Sequence, residues 1–129
     1  MDEPTWVMKP AVLAIHSEQL GEHGGSDGVR DQTLLDSALA KPLHVFAFGE
    51  EPDIFELAAS YAFGIARNHA FIDGNKRTAA AVSMTFLFLN GWEVEASKED
   101  EYFSFLHLAD GSLSEEEMAA WFREHAVSR

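Results

Sequence analysis

The chain has 129 residues, 47% of them apolar, which suits one domain with a hydrophobic core spanning residues 1–129. Its formal net charge of −13 argues against a general nucleic-acid-binding surface, since such a surface must attract phosphate. The absence of cysteine excludes a disulfide framework, a thiolate metal site and a cysteine nucleophile.

The chain also lacks the features of a secreted or membrane-inserted protein. Its N-terminus, Met1 to Pro4, is acidic and does not have the basic and then apolar layout of a signal peptide. The longest nearly apolar run, Ala79 to Leu89, is shorter than the ~20 residues that cross a bilayer. We therefore expect a cytoplasmic protein with no membrane partner.

The first half of the chain is predicted to be mainly helical. Apolar periodicity indicates a first helix from Pro10 to about Leu20, ended by the glycine-rich stretch 23–28. Asp31 can cap a second helix, and Pro42 is predicted to stop it. Residues Leu43 to Phe48 alternate weakly and are predicted to form a short extended flap.

Four further helices follow, which together predict an all-α fold. The fourth helix is apolar nearly all round from Ala79 to Leu89, which is typical of a central, buried helix. The fold is therefore predicted to be a compact six-helix bundle around that helix, with the short flap beside it. The predicted helices are Asp53 to about Asn68, Gly74 to Asn90, Lys98 to Leu108, and Ser114 to His125, the last opened by the capping-box pattern Ser114-x-x-Glu117.

The segment between the third and fourth helices carries chemically useful side chains. The start of a buried helix offers free backbone N–H groups and a positive dipole end, which together favour phosphate. Gly74 allows a ligand to approach the backbone closely. Lys76 and Arg77 lie in the first turn, where each cation costs about 0.3–1 kcal/mol unless an anion compensates. The pattern predicts an anion site.

A base and a metal ligand stand beside this predicted anion site. His69 is a candidate general base, because histidine titrates near neutral pH. Asp73 offers a carboxylate, the ligand that Mg²⁺ combines with phosphate oxygens and water. Singly, each of these residues has a structural explanation, as a cap or a solvated pair, and Phe71 is assigned to the core. In combination they favour phosphoryl or nucleotidyl transfer.

At these residues the sequence resembles the Fic/Doc family. The segment reads His69-Ala-Phe-Ile-Asp-Gly-Asn-Lys-Arg77, against the Fic pattern His-x-Phe-x-Asp/Glu-Gly-Asn-Gly-Arg-x-x-Arg. Three further stretches are similar to the short Doc branch: Gly24 to Asp31, Ala66-Arg67, and Phe86 to Gly91. The resemblance thus covers most of the chain.

Two departures from the Fic pattern imply a subclass. Lys76 stands where Fic enzymes have their second glycine, and Ala80 stands where they have a final arginine. Doc-type toxins share both departures. The resemblance to them implies a protein kinase that passes the γ-phosphate of ATP to a threonine of translation elongation factor Tu, which arrests translation.

The resemblance also implies a role for each residue of the motif. His69 would deprotonate the acceptor, Asp73 would hold Mg²⁺ or orient the acceptor, and Lys76 and Arg77 would neutralise charge in the transition state. Gly74 and Asn75 would cradle the phosphates of ATP, while Arg67 would be a phosphate or structural partner. His16 is a weaker candidate for the site, because Doc-like sequences tend to have a histidine there.

The resemblance further implies a Phd-like antitoxin that binds a groove on the toxin. Candidate groove residues lie in the first helix and in the predicted flap, whereas Trp121-Phe122 is assigned to the core. Two alternatives remain open at this point: a Fic-type AMP transferase, which the shared Gly74-Asn75 would suit, and a catalytically silent binding module.

Overall fold

The computed structural model describes residues 1–129 and contains six α-helices and one small antiparallel sheet. The all-α prediction is confirmed, although the sequence did not indicate the sheet. The elements are α1 (Lys9–His23), α2 (Gln32–Phe48), α3 (Ile54–Asn68), α4 (Asn75–Leu89), β1 (Trp92–Val94), α5 (Lys98–Asp110), α6 (Glu115–His125) and β2 (Ala126–Ser128).

Side-chain caps begin three of the helices at the predicted positions. Asp31 accepts a hydrogen bond from the Leu34 N–H at 3.0 Å, and Asp53 accepts one from the Glu56 N–H at 2.8 Å. At α6 the full capping box is formed, with Ser114 and Glu117 each satisfying the other's backbone N–H. These bonds satisfy N–H groups that have no partner within a helix, which is why the starts were readable from the sequence.

The prediction that Pro42 stops the second helix, and that Leu43 to Phe48 form an extended flap, is wrong. Helix α2 continues through a buried Pro42 to Phe48. Proline removes one helical hydrogen bond, but packing compensates here because Val45 and Phe46 lie against the core. The Phe46 ring meets Trp6 edge to face at 5.7 Å. Tertiary contact therefore outweighs the local rule.

Helices α3 and α4 form the centre of the bundle. The burial predicted for α4 is confirmed for Ala79, Val82 and Phe86, none of which is exposed. Helix α3 is at least as deeply placed, because nine of its residues between Leu57 and Ala66 are buried and only Phe63 in that range is partly exposed. The structure therefore has a two-helix centre, and the connection between these two helices is held on a rigid base.

The two short strands close the far end of the bundle. Strands β1 and β2 pair antiparallel, with Trp92 opposite Ser128 and Val94 opposite Ala126. The Trp92 ring packs edge to face on Phe55 of α3 at 5.0 Å. Each strand has three residues, too short for a clear alternating pattern in the sequence. A membrane-spanning segment is not found among the helices, which fall short in length or in apolar character.

Candidate active site

A cleft of about 930 Å³ opens at the N-terminus of α4. It brings together six of the predicted site residues, which come from the connection between α3 and α4 and from the first turn of α4. They are His69, Asp73, Gly74, Asn75, Lys76 and Arg77. The motif therefore forms one wall of a single open cavity.

The connection between α3 and α4 is anchored by Phe71, which is 1% exposed and so confirms its assignment to the core. His16 of α1 stacks on the Phe71 ring, with centroids 3.8 Å apart and the planes 10° from parallel. The Nε2 of His16 also lies 2.8 Å from the backbone oxygen of Asp73. His16 is buried and does not line the cleft, so it supports the loop from below.

Asn75 locks the same loop with both ends of its side-chain amide. Its Oδ1 accepts from the Phe71 N–H, and its Nδ2 donates to the Phe71 oxygen, each at 3.0 Å. The amide therefore holds the loop through one N–H and one lone pair.

Backbone donors are free at this helix start. The N–H groups of Asn75, Lys76 and Arg77 donate to no group of the chain, and the first N–H of the helix that is bonded belongs to Thr78. Gly74, the residue before the helix, has φ +77°, a left-handed conformation that a residue with Cβ would adopt only with strain. These free donors form the positive end of the helix dipole, a suitable place for an anion.

The two cations of the first turn are not neutralised by the chain. Lys76 forms no ion pair, and Arg77 makes one hydrogen bond, from Nη2 to the Gly24 oxygen at 3.1 Å. The Nε of Arg77 is buried without a hydrogen-bond partner. Lys76 and the guanidinium of Arg77 therefore have no carboxylate partner in an ion pair, which suits a site for an anion such as phosphate.

Asp73 is the carboxylate of the loop, and it is ionised more readily than an ordinary aspartate. Its Oδ1 accepts from the Gly74 N–H at 2.8 Å and its Oδ2 from the Ser26 N–H at 3.3 Å. These two bonds, in that order, lower the pKa of Asp73, and the charges of Arg77 and Lys76 lower it further. At Gly25 an added Cβ would lie 2.8 Å from Oδ2, so a side chain there would displace the carboxylate.

His69 follows the last residue of α3 and has an unusual backbone. Its φ of 50° and ψ of 46° lie in the left-handed region, where residues other than glycine are uncommon. The side chain is exposed and its imidazole makes no hydrogen bond within the chain. The ring is therefore free to contact a ligand in the cleft.

Arg67, like His16, is a predicted site residue that does not line the cleft. Its guanidinium carbon lies 5.3 Å from the centre of the Phe63 ring. It also packs beside Gly111, where an added Cβ would lie 3.5 Å from Nη1. The structure thus places the Arg67 side chain beside Phe63 and Gly111.

A family comparison agrees with the motif. A model described as Fic/DOC family matches residues 6–87. The chain belongs to the Fic/Doc family. It is 46% identical over 74 residues to Toxin Doc of Mycolicibacterium smegmatis, which is 57% of either chain. It is 34% identical over 88 residues to Protein kinase doc of Escherichia phage P1, which is 68% of this chain and 70% of that protein.

The resemblance of this Fic/Doc chain to Doc-type toxins is thus confirmed. The match to Toxin Doc spans just over half the length of that protein. The part of the chain that matches the family model ends inside α4, so α5 and α6 lie beyond it.

The second wall of the cleft was not predicted from the sequence. It comes from the end of α1, the middle of α4 and the first half of α5, which are distant in the chain and carry no shared pattern. The lining residues of this second wall are Gln19, Glu22, His23, Ala80, Ala81, Met84, Lys98, Glu101, Tyr102 and Phe105, and Ile72 of the motif also lines the cleft. Burial raises the pKa of Glu101, and the charge of Lys98 offsets part of that rise.

Proposed function

We propose that this chain is a Doc-type toxin that transfers the γ-phosphate of ATP to a hydroxyl of a protein, with translation elongation factor Tu as the acceptor. One observation carries the proposal. A helix start with three unbonded N–H groups, Lys76 and a partly unpaired Arg77 shares one cleft with an exposed, unengaged His69. An anion binder and a base in one cavity are the requirements for transfer from a nucleoside triphosphate to a hydroxyl.

In the proposed reaction the acceptor oxygen bonds to the γ-phosphorus and the bond to the β–γ bridging oxygen breaks, so that ADP leaves. His69 takes the proton of the acceptor hydroxyl. Lys76, Arg77 and the free N–H groups at the start of α4 stabilise the charge on the transferring group and on ADP. Most of the rate enhancement would come from positioning and electrostatics, because little covalent work is asked of the protein.

The residues present fit a Mg²⁺ ion that is bound together with ATP. The exposed carboxylate of Asp73 has a lowered pKa, and each of its oxygens accepts one N–H and keeps a lone pair. Mg²⁺ usually takes one or two protein carboxylates together with phosphate oxygens and water, and when bound it would neutralise phosphate charge.

The choice of the γ-phosphate over AMP rests on the two positions at which the motif departs from the Fic pattern. Lys76 adds a cation at the helix start, and Ala80, which lines the same cleft, leaves no arginine one turn further along α4. Support comes from the relative named Protein kinase doc, which is similar to this chain over 68% of its length. Selection of elongation factor Tu as acceptor rests on the resemblance to Doc-type toxins.

The deciding experiment incubates purified elongation factor Tu and Mg²⁺ with γ-labelled or α-labelled ATP, with His69→Ala as the control. The proposal expects label from γ-labelled ATP alone and none with the variant. Label from both nucleotides would instead show AMP transfer. No transfer to any protein acceptor would favour the silent binding module.

We also propose that a Phd-like antitoxin neutralises the protein in the cytoplasm. On α2, in the segment first assigned to a flap, Leu43 and Phe48 remain 45% and 76% exposed, and Met8 before α1 is 63% exposed. Exposed apolar residues on helices suit a partner helix. Phe48→Asp should weaken binding of a Phd-like C-terminal peptide and leave phosphate transfer unchanged, and unchanged binding would exclude this part of α2.

A further inference from the structure

Arg30 lies outside the motif, between α1 and α2, yet it contacts the backbone of His69. Its Nε donates to the His69 oxygen at 2.7 Å, and its Nη2 donates to the Asn68 oxygen at 3.3 Å. The Asn68 oxygen belongs to the peptide group before the His69 Cα, and the His69 oxygen belongs to the peptide group after it. One guanidinium therefore holds both peptide planes that define φ and ψ of His69.

The conformation held in this way is one that needs support. His69 and Glu51 are the two residues other than glycine with positive φ. Such a conformation persists where surrounding contacts enforce it. The next peptide is held as well, because the N–H groups of Arg30 and Asp31 donate to the Ala70 oxygen at 2.7 and 3.0 Å. Residues 30–31 thus bind three consecutive carbonyl groups around His69.

The direction of the imidazole depends on this backbone. The Cα–Cβ bond of a residue is fixed relative to its two peptide planes, so a change in φ or ψ swings the side chain as a whole. The imidazole has no hydrogen bond of its own to the chain that would oppose such a swing. In this loop the backbone clamp fixes the Cα–Cβ direction from which the ring reaches the cleft, and so limits the positions open to the ring.

We propose that Arg30 is a positioning residue for the base, acting through the peptide groups on either side of His69. Its kinetic consequence rests on the proposed function, whereas its structural consequence does not. Lysine at this position would keep the positive charge but would lose the planar fork that reaches two carbonyl groups at once. Arg30→Lys and Arg30→Gln should therefore both release His69.

Arg129 provides a matched control. It is also an exposed arginine whose Nη1 donates to a carbonyl near the C-terminal end of a helix, the Phe88 oxygen of α4 at 2.6 Å. It does not line the cleft. A role limited to capping a helix end would make the two arginines equivalent in their effect on transfer.

The first test separates kcat from KM in phosphate transfer. Arg30→Lys should lower kcat by about tenfold or more, because small misplacements of a catalytic group can cost up to about 10²-fold, and should leave the KM for ATP within about twofold. Arg129→Lys should change neither constant. An Arg30→Lys variant with wild-type kcat would overturn the proposal. So would an Arg129→Lys variant whose kcat falls as much as that of Arg30→Lys.

The second test needs no activity. In NMR spectra of the isotope-labelled protein, the nuclear Overhauser cross-peak between the amide proton and the Hα of His69 is strong at positive φ, because the two protons are then close together. It weakens when φ becomes negative. It should weaken in Arg30→Gln, or in Arg30→Lys if the former does not fold, and remain strong in Arg129→Lys. An unchanged cross-peak would refute the clamp. If the wild-type protein transferred no labelled phosphate from ATP, the proposed function would be refuted. The NMR result would then decide by itself whether Arg30 holds the backbone of His69.

Discussion

The side chain of Asn75 and the backbone of Phe71 are joined by two hydrogen bonds of 3.0 Å, one in each direction. In this pairing the side-chain amide of Asn75 stabilises the shape of the loop. Under the proposed function, the groups that would bind an anion are the free backbone N–H donors, Lys76 and Arg77. The motif thus divides into residues that shape the loop and residues that face the cleft.

Asn75→Ala should destabilise the fold and also lower activity. Both polar groups of Phe71 would lose their partner in a buried place, at a cost of about 1–3 kcal/mol for an unsatisfied group. Chemical denaturation and label transfer measure the two effects. Asn90→Ala is the control, since Asn90 makes the same two-way pairing with Thr5 at 2.8 and 2.9 Å, far from the cleft. Asn90→Ala should lose stability but keep its activity. An equal loss of activity in Asn75→Ala and Asn90→Ala would contradict a specific role of Asn75 in shaping the loop.

His69→Gly should abolish transfer while raising the free energy of unfolding by up to about 1.5 kcal/mol. The gain is the left-handed strain removed, about 1–2 kcal/mol, less the added chain entropy of glycine, about 0.5–1 kcal/mol. Glu51→Gly, at the other positive φ, should give a similar gain and keep full activity. Urea titrations and label transfer are the measurements. A destabilised His69→Gly protein would show that the imidazole contributes to the fold.

Lys76→Ala should reduce transfer without reducing stability. Its side chain makes no hydrogen bond or ion pair in the chain, so little is lost on folding, whereas removing one transition-state donor typically costs about 10²–10³ in kcat. Lys98→Ala removes a second lysine of the same cleft, on the α5 wall. We expect a smaller loss there. Equal losses would mean that overall positive charge, rather than the helix start, governs transfer.

Glu101→Gln should stabilise the protein at neutral pH. Burial raises the pKa of Glu101 above its ordinary value of 4.5, so folding disfavours the carboxylate. The protonated form therefore stabilises the fold below the unfolded-state pKa, and this contribution is lost as pH rises through the folded-state pKa. The melting temperature of Glu101→Gln should exceed that of wild type at pH 7, and the difference should vanish below pH 4.5.

Glu99→Gln is the control for this pH dependence, because Glu99 lies in the same first turn of α5 and is exposed. It should show no gain at pH 7, since a carboxylate at a helix start is favourable when solvated. A gain of equal size in both variants would attribute the effect to net charge rather than to burial.

The sequence alone determined the helical class, three helix caps and the chemical motif. Each depends on residues close together in the chain: Asp31 and Leu34 at one cap, Ser114 and Glu117 at another, and the nine residues from His69 to Arg77 at the site. Local spacing is enough to predict such features, because a helix turn or a short loop brings these residues together whatever the rest of the fold.

Only the tertiary structure decided the course of α2, the place of Arg67 and the second wall of the cleft. Pro42 stays helical because Phe46 meets Trp6, and Arg67 leaves the site because α3 turns it toward Phe63 and Gly111. His16 and Arg30 reach the loop from 57 and 39 residues away in the chain. Contacts of that range follow from how the helices pack, and no spacing in the sequence encodes them.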